Sequence, residues 1–314
     1  MIDVMNSLVS SLTTQGRLKE GEEMYQQVIK IRRVFGETHS DTVLAMINLA
    51  INLLHQGDTQ RSEGILRHSS KILGEVETPK SNVVLKTKAY LAEGLIPQEK
   101  YNNADELLEQ ERDISETKFG VKCPSTLRPK CRLAIVCLYQ KRYEEATTLY
   151  HEVLGDTQER TGLRSFDVTT CIHGIGNTLN GQRKYEAAEP RHWEALELAK
   201  KMLGEHHPRT ILISRDIALS LQGQRRFEDA KSMFRQLLKL TKEIFGVAHA
   251  FTIVTLYKTA RVLFDQGKYE EAELLFRETF GAKSKILGEE HLHSISALQN
   301  VTRAYIQAGE TQGS

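Results

Sequence analysis

The chain has 314 residues, 40% hydrophobic and 26% charged, with 42 basic against 41 acidic side chains. A net charge of +1 leaves no whole-chain footprint for nucleic acid or an anionic membrane surface, and no apolar run approaches the roughly 18 residues of a membrane span. The opening MIDVMNSLVSSL carries Asp3 and no basic leader, which reads against a signal peptide.

The cysteines, Cys123, Cys131, Cys137 and Cys171, form no C-x-x-C pair. They read as small buried thiols in a reducing, cytoplasmic setting rather than as zinc ligands.

Length alone suggests two domains, but an internal repeat overrides it. Alanines recur every 42 residues at Ala104, Ala146, Ala188, Ala230 and Ala272, each three residues after an aromatic: Tyr101, Tyr143, Tyr185, Phe227 and Tyr269. A second small-residue column runs Ala50, Ala92, Ala134, Gly176, Ala218, Ala260 and ends at Thr302. Glycines keep the same period at Gly120, Gly162, Gly204, Gly246 and Gly288, with Gly36 two periods before the first. Such a period means a solenoid whose units bury their apolar faces only against neighbours.

In chain order, the first unit is one residue short, since Gly16 precedes Gly57 by 41, and Gly21 replaces its helix B alanine. Thr78 stands where a glycine is expected and Gly74 comes four residues early. Either that helix is one turn short or Gly74 lies inside an undisturbed helix, and Pro79 favours a loop near 80. Pro97 should end its helix A early, so residues 74–100 are the least regular stretch. Pro129 and Pro190 fall inside expected helices and should kink them or mark first turns. The clearest unit is 248–288. Ile253, Leu256, Tyr257, Ala260, Val262, Leu263 and Phe264 give one amphipathic helix. A break follows at Gln266-Gly267-Lys268, and Tyr269, Ala272, Leu275, Phe276, Phe280 and Ile286 give a second helix, ended by Gly288. Each unit is thus a helix pair, A then B. Facing small residues let the axes approach to about 8–10 Å. The count is seven A/B pairs and a lone final A helix from about Leu292 to Ala308, giving one repeat domain over residues 1–309 and a disordered tail over 310–314.

The period fits several helical repeats, and the motifs choose. QGQRRFEDA (222–230), FDQGKYEEAE (264–273), GEHHPRT (204–210) and KYEAAEP (184–190) resemble the long tetratricopeptide repeat of kinesin light chains, also found in sensor arrays of STAND-class NTPases. The resemblance covers essentially the whole chain and implies an all-α, right-handed superhelical solenoid whose A helices line a concave groove.

Chemistry-bearing patterns are weak by comparison. His39, His207, His249 and His291 share one position after the repeat glycine, too far apart to ligate one metal, and read as polar residues in the loop before helix A. Gly174-Ile175-Gly176 imitates a dinucleotide fingerprint but falls inside a helix without a preceding strand. No P-loop, nucleophile elbow or zincin signature occurs, and Asn300-Val301-Thr302 reads as an accidental glycosylation match. Glutamate pairs such as Glu144-Glu145 and Glu270-Glu271 suit the first turn of helix B. No catalytic residue, metal or cofactor is expected.

By the resemblance, groove positions lie three before and one after the small residue of each helix A. The first set reads Asn6, Ile47, Ala89, Cys131, His173, Arg215, Tyr257, Gln299; the second reads Ser10, Ile51, Glu93, Ile135, Asn177, Leu219, Arg261, Arg303. The first half is largely apolar, with Ile47, Ile51 and Ile135. The second half offers His173, Asn177, Arg215, Tyr257, Arg261 and Arg303, suited to a carboxylate or phosphate because guanidinium binds planar anions bidentately. The opposing reading pairs these arginines with local acids such as Asp216 and Asp265. The expected function is a non-catalytic scaffold holding a protein or peptide segment with acidic residues, with no nucleic-acid or membrane partner. The alternatives are a small-molecule sensor or enzyme using the same groove, and the repeat half of a larger STAND-type protein.

Overall fold

The computed structural model describes residues 18–161, 166–290 and 292–312. Every regular element among them is helical. They are α1 (Leu18–Arg32), α2 (Ser40–Gln56), α3 (Thr59–Val76), α4 (Asn82–Leu95), α5 (Tyr101–Phe119), α6 (Pro124–Tyr139) and α7 (Tyr143–Thr161), then α8 (Phe166–Gly181), α9 (Tyr185–Leu203), α10 (Pro208–Gly223), α11 (Phe227–Phe245), α12 (Ala250–Asp265), α13 (Tyr269–Leu287) and α14 (Leu292–Gln312). Even-numbered helices are the A helices and odd-numbered ones the B helices. The A helix expected before α1, with Asn6 and Ser10, lies outside the described residues, as does His291.

The chain divides into two compact units, residues 1–174 and 175–314. In each, consecutive helices pack in sequence, as a tetratricopeptide-like solenoid requires. In the first, Tyr25, Val28 and Ile29 meet Ala45, Met46, Leu49 and Leu53. A larger core joins Val43, Ile47, Leu66, Leu91, Leu108 and Leu133. In the second, Ala260, Leu263, Ala272, Phe276, Val301 and Ala304 form one cluster. The alanine columns do the joining: Ala104, Ala146, Ala188, Ala230 and Ala272 are all fully buried, as are Ala50, Ala92, Ala134, Ala218 and Ala260.

The loop motif between repeats has a division of labour. Gly36, Gly120, Gly204, Gly246 and Gly288 take φ of 79–103°, which a side chain would strain. His39, His207 and His249 then cap the next helix, Nδ1 accepting from the N–H of Asp41, Arg209 and Phe251 at 3.1–3.3 Å. The threonine of the motif closes the loop: Thr42, Thr126, Thr210 and Thr252 donate to the carbonyls of Gly36, Gly120, Gly204 and Gly246 at 2.7–3.0 Å.

The A-to-B turn is tighter. The residue before each helix B donates back to the end of helix A, as Arg142 to Cys137 (2.8 Å) and Lys268 to Leu263 (2.9 Å). The preceding residue is left-handed. Gly57 and Gly267 suit it, but Glu99, Lys141, Arg183 and Arg225 adopt φ of 59–63° there.

The irregular stretch resolves simply. Gly74 lies inside α3, which runs on to Val76. Helix α4 stops at Leu95 and passes into a 3-10 turn, Ile96–Gln98, containing Pro97. Pro129 and Pro190 lie within α6 and α9, both of which continue past them. Helix α14 starts at Leu292 as expected but extends to Gln312, past Gly309, so most of the expected tail is helical. A single glycine costs only about 1 kcal/mol in a helix and does not by itself stop one.

Candidate functional site

Helices α10, α12 and α14 carry the cations expected on the A-helix face of the 175–314 unit. Arg215 is half-buried and its guanidinium lies 2.8 Å from Asp216, which is itself buried. Arg261 Nε lies 3.1 Å from Asp265 four residues on. Both pairings follow the opposing reading of the sequence, and neither closes the site, since each guanidinium keeps further donors. Arg303, exposed on α14, stands 5.1 Å over the Phe264 ring, and Arg261 stands 5.9 Å over the same ring. Tyr257 lies 5.8 Å from Phe276 and within 5.9 Å of the ammonium groups of Lys258 and Lys283.

Lys258 and Lys283 were not singled out from sequence. Lys258 stands two residues before the small residue of helix A, in a column reading Asn48, Tyr90, Arg132, Gly174, Asp216, Lys258 and Asn300. That mixed polarity was the available signal. Burial holds the Lys258 ammonium below the usual lysine range, and the charges of Arg215 and Arg261 push the same way, against Asp216. Burial also lowers Lys283.

Asn177 is committed differently. Its Oδ1 lies 3.1 Å from His192 Nε2, and His192 Nδ1 lies 3.1 Å from Ser220 Oγ. His192 is fully buried in a column otherwise filled by Leu66, Leu108, Tyr150, Phe234 and Phe276. Gly176 makes room for it: a Cβ there would fall 2.4 Å from the imidazole. Gly174, in the first unit, likewise faces Tyr150, at 2.3 Å from where a Cβ would stand. The apparent dinucleotide fingerprint is thus two separate clearances for large B-helix side chains.

In the 1–174 unit, Ile47 is fully buried in the core rather than lining a surface. It packs there with residues of neighbouring A and B helices. Ile51 and Ile135 are half-buried, and Ile51 packs on the same core. His173 is half-buried and belongs to this unit. Cys131, at an inward position, is buried with its Sγ 3.8 Å from that of Cys171. All four cysteines are free, and burial pushes the Cys137 thiol up to about 12. Glu93 and Arg132 form an ion pair of 2.8 Å that continues to buried Glu111 at 3.4 Å.

A hollow of about 560 Å³ opens at the A-to-B turns, lined by Arg225, Phe227, Glu228, Asp265 and Lys268 among others. It holds none of the inward residues above. Its Glu228 is already matched, with Lys231 and Lys268 at 2.7 and 3.1 Å, which hold the carboxyl down at about 2. No group of histidine, cysteine and carboxylate side chains among the described residues could hold a metal ion. No described helix is long and apolar enough to cross a membrane.

Comparison with known proteins agrees with this architecture. The structure resembles NprR in complex with its cognate peptide NprX (TM-score 0.66, 12% identity, 99% of this chain and 87% of that one). It also resembles a Rap protein complexed with Competence and Sporulation Factor (0.64, 13%, 99% and 87%). A kinesin light chain-type protein of Podosopora anserina with nearly identical TPR-like repeats aligns at 0.52 and 18% identity, over 67% of this chain and 99% of that one. No curated protein matches the chain. The tetratricopeptide repeat model matches residues 1–75, 168–243 and 214–285, more than half of the sequence. With helix pairs, alanine joints and capped loops in place, the chain belongs to the tetratricopeptide repeat family.

Proposed function

We propose that this protein is a non-catalytic binding module that holds an acidic peptide segment on the A-helix face of its 175–314 unit. The observation that carries the reading is the set of cations on successive A helices, Arg215, Lys258, Arg261 and Arg303, with Lys258 beside Tyr257 and with Arg261 and Arg303 over the Phe264 ring. Two local acids do not cancel them, as Lys258 is still opposed by Arg215 and Arg261. A carboxylate arriving there relieves that repulsion and gains guanidinium donors and the Tyr257 hydroxyl. NprR and the Rap protein were each solved with a bound peptide or factor, which supports peptide binding as the use of such a scaffold. Within the 1–174 unit, Ile51, Ile135 and His173 are the inward residues offered for ligand contact, and in the 175–314 unit Asn177 adds a polar one. The hollow at the turns is open and self-neutralised, which disfavours a small-molecule site there.

The test is titration of a fluorescent peptide with an apolar segment and an acidic end. Arg261→Ala should weaken binding at least about tenfold and flatten its salt dependence, since truncating one partner of a partly buried charge pair commonly costs about 2–5 kcal/mol. Lys239→Ala, on the exposed surface of α11, should change little. Equal effects from both would refute the assignment.

A further inference from the structure

Two thiols of the 1–174 unit meet between A helices of neighbouring repeats, at a place the acidic-peptide reading does not use. Cys131 on α6 and Cys171 on α8 bring their Sγ atoms to 3.8 Å, which is van der Waals contact and about 1.8 Å more than a disulfide bond. The contact joins the inward position of one repeat to the position two residues earlier in the next. At that register the sequence elsewhere in the unit has Ile47 with Thr87 and Ala89 with Pro129. Only here does it place sulfur on both sides.

The surroundings are those of a closed site with one entrance. Tyr150 of α7 is nearby: burial raises its hydroxyl above the usual tyrosine range, and Cys131, Cys171 and Cys137 are close enough to add to that shift. The two sulfurs are not equally placed, since Cys131 is 9% exposed and Cys171 0%. A small reagent from solvent therefore meets Cys131 first. The other thiols are poorer partners for it. Cys137 stands six residues on in the same helix, about 9 Å along its axis and on another face. Burial also pushes the Cys137 thiol up to about 12, which suppresses the reactive thiolate. Cys123 precedes Cys131 by eight residues, about 12 Å along α6. Such burial opposes two thiolates around a metal ion but accepts an uncharged disulfide.

We infer that Cys131 and Cys171 form a modification site that takes hydrogen peroxide as its oxidant and closes to a disulfide stapling α6 to α8. Cys131 gives up its proton and its sulfur attacks one peroxide oxygen. The O–O bond breaks, and hydroxide leaves and takes up the proton as water, giving a sulfenic acid. The Cys171 sulfur then attacks the Cys131 sulfur. The S–O bond breaks, the S–S bond forms, and the departing hydroxide takes the Cys171 proton as water. Two thiols lose two electrons, and one peroxide becomes two waters. A thiol reductant reverses the link. Ile135, four residues after Cys131, and His173, two after Cys171, stand on the tied segments, so oxidation stiffens the inward surface of this unit. The site uses none of the cations of the acidic-peptide site.

The test treats the reduced 314-residue protein with hydrogen peroxide in native buffer, quenches by alkylation in denaturant and maps the cysteines by mass spectrometry. The expected product is a peptide pair joined through Cys131 and Cys171 and released by dithiothreitol, with Cys137 still alkylated. The same oxidant acting on urea-unfolded protein should spread the pairings over all four cysteines. In the Cys171→Ser protein, dimedone should trap a sulfenic acid at Cys131. Amide exchange in α6 and α8 should slow several-fold on oxidation of the native protein. The assignment is overturned if both thiols stay alkylatable, or if Cys131 passes to sulfinic or sulfonic acid without a link. It is equally overturned if native and unfolded protein give the same pairings, and unchanged exchange in the linked protein overturns the stapling.

Discussion

Glu111 should make the stability of the 1–174 unit fall as pH rises, and the size of the effect can be worked from its surroundings. The side chain is 6% exposed on α5, one oxygen lies 3.4 Å from Arg132, and the other has no hydrogen-bond partner. Burial dominates, Arg132 opposes it, and the charge of Glu93 adds to it, so the carboxyl is raised from 4.5 to about 7. The folded state thus holds the proton more tightly than the unfolded one. Its stabilising contribution is complete below the unfolded value and is lost as pH rises through about 7. Between about pH 5 and pH 8 the loss amounts to about 2.5 kcal/mol. Glu111→Gln keeps the shape and removes the titration. Chemical denaturation of both proteins at the two pH values should show the variant gaining about 2.5 kcal/mol on the native protein at the higher pH, other titrations cancelling in the difference. Parallel pH profiles for the two proteins would refute the argument.

Two further outcomes follow from the turns and caps. Arg225→Gly and Lys141→Gly should each raise the melting temperature, by a stabilisation of about 0.5–1 kcal/mol, because both residues are held left-handed where Gly57 and Gly267 do the same without a Cβ. Melting at or below the native temperature for both would count against strain at this column. His249 caps α12 through an unprotonated Nδ1, and burial lowers its pKa, so its cap is present above the ordinary histidine range and lost as pH falls through the lowered value. His249→Asn retains an acceptor and should flatten the acid-side loss of about 1 kcal/mol in denaturation midpoints taken at about pH 5 and pH 7.5, whereas an unchanged slope would show that the cap does not titrate.

The repeat was legible because its backbone requirements are absolute. A positive φ calls for glycine, a close helix joint calls for alanine, and both recur at fixed intervals in the sequence. The same logic placed α14 correctly at Leu292 and ended α4 at Pro97. What stayed hidden were exchanges between residues far apart in sequence. His192 replaces an aromatic, and its needs are met by Gly176, Asn177 and Ser220; no local pattern announces that set. Glu111, Arg132 and Glu93 come from three helices in the same way. Position in a repeat gives the helix face only approximately, and Ile47, read from sequence as an inward residue, is packed within the core of its unit.

That division explains how one scaffold can carry different surfaces. The glycine, alanine and capping positions fix the backbone, so the residue after each A-helix small residue can change from Ile51 and Ile135 in one unit to Arg261 and Arg303 in the other. Lys258 shows the limit of this freedom. Its ammonium is pressed by burial and by two guanidinium groups, a cost that packing alone gives no reason to retain. An arriving carboxylate turns the same crowding into attraction. On the proposed function, it is this charge held against its own repulsion, beside the inward Arg215 and Arg261, that an acidic peptide would meet.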